Sequence, residues 1–220
     1  MKTSPTDPDL RSSVPLSGPT PAVPVGSLRD VPNQITVARL VATLACFVCL
    51  SLDALIAGFW LFVLAAATDW ADGYWARRWG PITRLGRVLD PLADKLLICG
   101  LFVFLAAMPG SDVAPWVAVL VLARELVVTG LRAFVEGGGG DFSAVMIGKL
   151  KMVAQCVAGG LCLLQAASAA GVAVAWLPIS WNADALTIVD AAVAVTVVLT
   201  VWSGGAYTLA AWRFTTRSAG

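Results

Sequence analysis

The sequence predicts an all-α integral membrane protein with six transmembrane helices. Of its 220 residues, 58% are hydrophobic and only 13% are charged. The mean hydropathy of +0.81 lies far above that of ordinary soluble domains. A helix needs about 20 largely apolar residues to cross a bilayer, and the chain contains about six such stretches. The lipid bilayer is therefore the first partner that the sequence indicates.

The polar start of the chain differs from the rest. Residues 1–27 are rich in Pro, Ser, Thr and Gly, which predicts a disordered cytoplasmic tail, and residues 28–215 form the predicted six-helix membrane domain. Segment 28–39, LRDVPNQITVAR, is partly polar and is predicted as a juxtamembrane piece that leads into a first span ending near Leu52. The remaining spans are predicted at about 54–77, 88–108, 114–135, 148–169 and 185–213.

The distribution of basic residues predicts the orientation. The connections near Asp53, Asp112 and Asp184 contain no Lys or Arg. The basic residues collect at the opposite ends of the helices, namely Arg77, Arg78, Arg84, Arg87, Arg132, Lys149, Lys151, Arg213 and Arg217. By the positive-inside rule these ends face the cytoplasm. We therefore expect a multi-pass protein of the inner (cytoplasmic) membrane with both termini in the cytoplasm.

Composition also limits the chemistry. A net charge of +1 gives no indication of nucleic-acid binding. The chain has no histidine, which excludes histidine metal sites and Ser-His-Asp triads. The five cysteines lie within apolar stretches and are interpreted as small buried residues. Carboxylate, lysine and arginine side chains must therefore carry any reaction.

Four aspartates are concentrated in segment 68–95. Asp69 and Asp72 are three residues apart and Asp90 and Asp94 are four apart, so each pair occupies one face of its helix. The tight turn between the two helices brings the pairs together at the cytoplasmic boundary. Adjacent carboxylates repel one another, and hard oxygen ligands suit Mg²⁺, Mn²⁺ or Ca²⁺. The alternative is that these acids are solvated or pair with neighbouring arginines.

The residues around these acids suit phosphoryl transfer. Gly73 and Ala76 share the helix face of Asp69, where small side chains allow a bulky ligand to approach the backbone. Arg77 follows as a candidate phosphate partner. Two cations bridging a pyrophosphate would stabilise an in-line displacement, and a spare carboxylate would accept the proton of an incoming hydroxyl. The predicted active site therefore faces the cytoplasm.

The spacing D-x2-D-G-x2-A-R-x8-G-x3-D-x3-D resembles the signature of the CDP-alcohol phosphotransferase family. It is matched by Asp69, Asp72, Gly73, Ala76, Arg77, Gly86, Asp90 and Asp94. The resemblance implies that Asp69, Asp72 and Asp90 bind two divalent cations, Mg²⁺ or Mn²⁺. It implies that Asp94, itself one of the metal-site carboxylates, is the general base. It also implies CDP contacts from Asp69, Gly73, Ala76, Arg77 and Gly86, a catalytic domain with the family's six-helix fold, and a homodimer.

Other segments bear on the acceptor alcohol. Segments 32–39, 89–97, 123–134 and 147–155 resemble those of the phosphatidylglycerophosphate-forming bacterial members. This implies transfer of phosphatidyl from CDP-diacylglycerol to glycerol 3-phosphate, with release of CMP. The candidate ligands for the acceptor phosphate are Arg124, Arg132, Lys149 and Lys151, since a phosphate at the membrane boundary needs cations. Their alternative role is as interfacial anchors or in ion pairs such as Arg124 with Glu125.

Three rival interpretations remain open. The same chemistry with another acceptor, inositol phosphate or phosphatidylglycerol, would keep the site and change the product. A divalent-cation transporter would use the aspartates as its ion site, although transport sites usually lie near the membrane midplane. A membrane scaffold would need none of these side chains for its function. Asn33, Thr36 and Arg39 are candidate nucleotide or phosphate contacts, on the resemblance.

Overall fold

The computed structural model describes residues 31–79, 84–138, 146–172 and 183–218. Within these ranges only the backbone is described for residues 31–32, 69–79, 84–88, 90, 146–147, 149, 183–186 and 217–218. The predicted tail, residues 1–27, lies outside the described residues.

The described chain forms helices throughout, joined by short connections. The elements are α1 Val31–Ser51, α2 Leu55–Trp79, α3 Arg84–Ala107, α4 Pro115–Gly137, α5 Met146–Ala169 and α6 Ala183–Ser218. The all-α prediction is confirmed for these ranges. Residues 31–39 of the predicted juxtamembrane piece continue without a break into the first span as one helix, α1, and its residues Asn33, Thr36 and Arg39 face the protein interior.

The helices pack into one bundle. Helix α1 packs against α2 and α3, α4 packs against α3 and α6, and α5 contacts α2, α3 and α6. The turn after α1 is tight, with Asp53 at a φ of 55°. The turn after α3 contains Gly110 at a φ of 76°. The shared core is apolar and includes Leu50, Phe62, Leu101, Phe102, Leu105, Val117, Val121, Leu163 and Val189.

Glycines allow the helices to approach closely in the core. A Cβ atom added to Gly100 on α3 would lie 2.2 Å from Cζ of Phe47 on α1. The Phe47 ring also stacks on Phe104, with the ring centroids 5.2 Å apart. Such contacts between a small residue and a large one are typical of membrane helix interfaces, where van der Waals packing holds helices together.

The surface is apolar, and the interior contains buried polar residues beside its apolar core, as expected for a protein in lipid. Large hydrophobic side chains are exposed on every helix, including Val41, Leu44, Trp60, Val103, Val119, Leu126, Val153, Val198 and Trp202. Buried polar residues include Asn33, Thr36, Arg39, Thr43, Lys151, Gln155, Gln165, Thr196 and Thr200. Three described helical segments are long and apolar enough to cross a bilayer, namely Asn33–Ser51, Leu150–Ala169 and Thr187–Thr216. The chain is a membrane protein.

The cysteines lie inside these helices. None of these five described cysteines forms a disulfide. Cys46, Cys99 and Cys162 are buried, which confirms their interpretation as small interior residues, whereas Cys49 and Cys156 are partly exposed.

Candidate active site

The family-like motif spans the end of α2 and the start of α3. Asp69 and Asp72 lie in the second half of α2, and Asp90 and Asp94 lie in the first half of α3. The predicted CDP-contacting positions, Gly73, Ala76, Arg77 and Gly86, lie on the same two helices. Apart from that of Asp94, the side chains of these residues lie outside the described part of the structure. The predicted four-carboxylate cluster therefore stays a prediction.

The chemistry of the acidic residues fits a divalent-cation site. Each acid supplies carboxylate oxygens, which are the ligands that Mg²⁺ and Mn²⁺ prefer. Asp94 keeps a side chain that is 32% exposed and lines a cavity at this end of the bundle. Among the described side chains no three potential ligands lie close together, and the side chains of Asp69, Asp72 and Asp90 lie outside the described part.

Asp94 is fixed by a buried arginine from α1. Nη1 of Arg39 donates to Oδ1 of Asp94 over 2.6 Å, and the Arg39 side chain is only 1% exposed. The backbone carbonyl of Arg39 accepts a hydrogen bond from Thr43 at 2.9 Å. A charge-assisted bond to a side chain with so little freedom restricts the orientation of the carboxylate. Arg39 therefore contacts the candidate base, whereas the sequence suggested a nucleotide or phosphate contact.

A buried charge network lies across the cavity from Asp94. Nη1 of Arg124 on α4 donates to both Glu125 oxygens, at 3.2 and 3.3 Å. The ammonium of Lys151 on α5 donates to the same carboxylate. The Arg124 and Lys151 side chains are 8% and 6% exposed. Two buried cations thus share one anion, and the surplus positive charge favours a second anion.

Two further side chains border this network. The guanidinium carbon of Arg124 lies 5.6 Å from the ring centroid of Tyr207 on α6, within cation–π range. Nε of Arg132 lies 3.8 Å from Glu136, and both side chains are largely exposed. This exposed pair contributes little to stability, so Arg132 is available to bind a ligand. Of the four predicted acceptor ligands, Lys149 has a side chain outside the described part.

The cavity between α3, α4, α5 and α6 brings these groups together. Its volume is about 500 Å³, which is the size of a small-molecule site. Its lining is Pro91, Asp94, Lys95, Ile98, Arg124, Glu125, Val128, Thr129, Arg132, Ala133, Glu136, Gly148, Lys151, Met152, Gln155 and Tyr207. The lining includes four cationic and three anionic side chains. Lys95 also donates to the carbonyl of Pro91 at 3.0 Å.

Several side chains that line the cavity have a buried donor atom without a hydrogen-bond partner within the described part of the chain. These atoms are Nε of Arg124, Nε of Arg132 and Nε2 of Gln155. Buried donors without a hydrogen bond are rare in native proteins, because losing water without a replacement costs free energy. All three side chains line the same cavity, where an oxygen-rich ligand would satisfy such donors.

Sequence reasoning missed Gln155 and Tyr207, and it did not anticipate the contact of Arg39 with Asp94. A usable signal existed for Arg39, because Asn33, Thr36, Arg39 and Thr43 follow helical spacing along one face of α1 and all four are buried. Gln155 follows Lys151 by four residues and so shares its helix face. Tyr207 gave no signal, since an aromatic residue in an apolar helix is commonplace.

Comparisons with known proteins agree with this arrangement. A family model described as CDP-alcohol phosphatidyltransferase matches residues 29–202. A Bacillus subtilis protein named CDP-diacylglycerol–glycerol-3-phosphate 3-phosphatidyltransferase is 38% identical over 152 residues, which cover 61% of this chain and 77% of that protein.

Proteins of the same name in other bacteria are also similar. The Yersinia pestis (strain Pestoides F) relative is 36% identical over 154 residues, covering 69% of this chain and 76% of the relative. The Rickettsia bellii relative is 41% identical over 108 residues, or 48% of this chain and 59% of the relative. The family match covers well over half of the chain and includes both motif helices and every cavity-lining residue except Tyr207. The chain is therefore a member of the CDP-alcohol phosphatidyltransferase family of enzymes.

Proposed function

We propose that this enzyme transfers the phosphatidyl group of CDP-diacylglycerol to glycerol 3-phosphate, giving phosphatidylglycerophosphate and CMP. One observation carries the proposal: a single cavity is lined by Asp94 and by Arg124, Arg132 and Lys151. A carboxylate beside a group of cations suits an acceptor that has both a hydroxyl to deprotonate and a phosphate to bind. The names of the relatives support the same acceptor.

The phosphate of the acceptor is assigned to the basic side of the cavity. Arg124 and Arg132 each have a buried Nε without a hydrogen-bond partner among the described residues. Lys151, which donates a hydrogen bond to Glu125, lines the same cavity. A phosphate entering here would satisfy the guanidinium donors and balance the surplus positive charge. Lys149, at the start of α5, is proposed as a fourth ligand.

Asp94 is proposed as the general base for the acceptor hydroxyl. Its carboxylate accepts the proton as the hydroxyl oxygen bonds to the phosphorus that carries diacylglycerol. The bond from that phosphorus to the bridging oxygen breaks, and the electron pair leaves with CMP. Arg39 holds the carboxylate in place through the 2.6 Å contact, which reduces the reorganisation needed for proton transfer.

Asp69, Asp72 and Asp90, together with Asp94, would hold two divalent cations, Mg²⁺ or Mn²⁺. Such cations neutralise charge on the pyrophosphate as it is cleaved. Gly73, Ala76, Arg77 and Gly86, with Asp69, are proposed to contact the CDP moiety.

The membrane placement is part of the proposal. Residues 28–215 form a catalytic domain of six spans, preceded by a tail at 1–27. Both termini and the active site face the cytoplasm of a bacterial inner membrane, because the basic residues lie at that end of the helices. The lipid tails of the donor stay in the bilayer while its headgroup meets the soluble acceptor. We propose a homodimer as the functional unit.

The test is acceptor-dependent release of CMP. Purified enzyme in detergent receives CDP-diacylglycerol and Mg²⁺ with glycerol 3-phosphate, inositol phosphate or phosphatidylglycerol. We expect CMP release with glycerol 3-phosphate but not with the other two acceptors. The Asp94→Asn variant should lose this release. The matched control is Asp53→Asn, an exposed aspartate at a φ of 55° that asparagine also adopts. Release with a different acceptor would overturn the assignment of glycerol 3-phosphate, and release by Asp94→Asn would overturn the base.

A further inference from the structure

The cavity contains a polar side chain that the reaction as described does not use. Gln155 on α5 is 1% exposed and lines the cavity. Its Nε2 has no hydrogen-bond partner within the part of the chain that the structure describes. An amide donor in this state loses its hydration without replacement, so its presence is explained best by a bond that forms only with substrate.

We infer that Gln155 determines acceptor specificity by donating a hydrogen bond from Nε2 to the C2 hydroxyl oxygen of glycerol 3-phosphate. The inference rests on the proposed function. Glycerol 3-phosphate has three polar groups: the phosphate, the reacting C1 hydroxyl and the C2 hydroxyl. The cationic side chains of the cavity bind the phosphate, and Asp94 binds the C1 hydroxyl. The C2 hydroxyl must also leave water on entering the cavity and needs a partner there.

The position of Gln155 suits this role. It follows Lys151 by four residues, so the two side chains lie on one face of α5 about 6 Å apart along the axis. Gln155 is further from the basic end of α5 than Lys151, and therefore lies deeper in the bundle. When the phosphate of a ligand lies near Lys151, the carbon chain of that ligand thus reaches the amide of Gln155.

The other neutral groups in the cavity are less suited. Thr129 is exposed and donates to the carbonyl of Glu125 at 2.6 Å. Tyr207 presents its ring to Arg124. The neighbours Ile98, Val128 and Met152 are apolar. Among the described lining residues, Gln155 is the neutral side chain with a buried donor still to be satisfied.

A site that hydrogen-bonds a substrate hydroxyl discriminates against the analogue without it, because a buried polar group is then left unpaired. The analogue here is 3-hydroxypropyl phosphate, which keeps the phosphate and the reacting hydroxyl but lacks the C2 hydroxyl. We expect the wild-type enzyme to favour glycerol 3-phosphate in kcat/KM by about tenfold or more.

The experiment compares both acceptors in the wild type, Gln155→Met and Gln165→Met by CMP release. Methionine preserves the volume of the side chain and removes the amide. Gln165 is the matched control, since it is also a buried α5 glutamine, 5% exposed, but it donates to Asp112 near the opposite end of the helix. Thermal unfolding in detergent verifies that each variant is folded.

We expect Gln155→Met to lose the preference by lowering kcat/KM for glycerol 3-phosphate alone, while Gln165→Met keeps it. Equal losses for both acceptors in Gln155→Met, or no preference in the wild type, would overturn the role of Gln155 while leaving the proposed function intact. Absence of turnover with glycerol 3-phosphate in the wild type would overturn the proposed function and the inference together. If Gln155→Met does not fold, the wild-type preference and Gln155→Asn, which shortens the amide's reach, decide the question.

Discussion

Replacing Arg39 with methionine tests whether the buried arginine positions Asp94. Methionine keeps much of the apolar stem of the side chain and removes the guanidinium. The bond from Nη1 to Oδ1 is 2.6 Å long, and hydrogen bonds to charged groups contribute about 1.5–3 kcal/mol. Because the Asp94 side chain is 32% exposed, solvent replaces part of this interaction and about 2 kcal/mol is the appropriate value.

If this loss falls on the step in which Asp94 accepts the proton, kcat falls about 30-fold. KM for glycerol 3-phosphate should change less than about twofold, since Arg39 does not line the acceptor cavity. Arg39→Lys should recover part of the rate, because it keeps the charge but not the planar donor geometry.

The assay is CMP release under saturating donor, with Arg213→Met as the matched control. Arg213 is an exposed arginine near the end of α6, and its replacement should leave kcat unchanged. Full kcat in a folded Arg39→Met enzyme, or a loss confined to KM, would refute the positioning role.

Three further predictions concern binding, packing and metal. Lys151→Met should raise KM for glycerol 3-phosphate about tenfold and also lower the melting temperature in detergent, since it leaves Glu125 with one buried partner. Arg132→Met should raise KM similarly without lowering that temperature, because its pair with Glu136 is exposed; equal destabilisation by both changes would contradict this division. Gly100→Ala should destabilise the protein by about 1–3 kcal/mol through the clash with Phe47, whereas Gly205→Ala, with no atom within 4 Å, should not, as thermal unfolding would report. EDTA should abolish CMP release and excess Mg²⁺ or Mn²⁺ should restore it; activity that persists in chelator would contradict the metal proposal.

The helices could be predicted from the sequence because lipid imposes a simple rule. Apolar runs of about 20 residues must be helical when no water is present to satisfy the backbone, and the connections carry turn residues such as Gly110 and Asp112. The predicted spans accordingly agree with α2 to α6 to within a few residues, save for the longer end of α6. The continuity of residues 31–39 with the first span was not anticipated because this segment was interpreted by its polarity, whereas Asn33, Thr36 and Arg39 face the protein interior.

The candidate site was predictable only where residues lie close in sequence. The motif on α2 and α3 follows from local spacing, which fixes helix faces. The contact between Arg39 and Asp94 joins residues 55 positions apart, and the Lys151 to Glu125 pair joins residues 26 apart. Such contacts depend on how α1 packs on α3 and how α5 lies near α4 around the cavity. The same holds for Gln155, whose unsatisfied donor becomes visible only once its neighbours are in place.

The most direct test of the proposed transfer of phosphatidyl to glycerol 3-phosphate is incorporation of radiolabelled glycerol 3-phosphate into lipid. Purified enzyme is incubated with the labelled acceptor, CDP-diacylglycerol and Mg²⁺, and the solvent-extractable product is counted and identified. We expect label in phosphatidylglycerophosphate, dependent on CDP-diacylglycerol and lost in Asp94→Asn but not in Asp53→Asn. Failure of the label to enter lipid, while inositol phosphate or phosphatidylglycerol is converted by the same preparation, would contradict it.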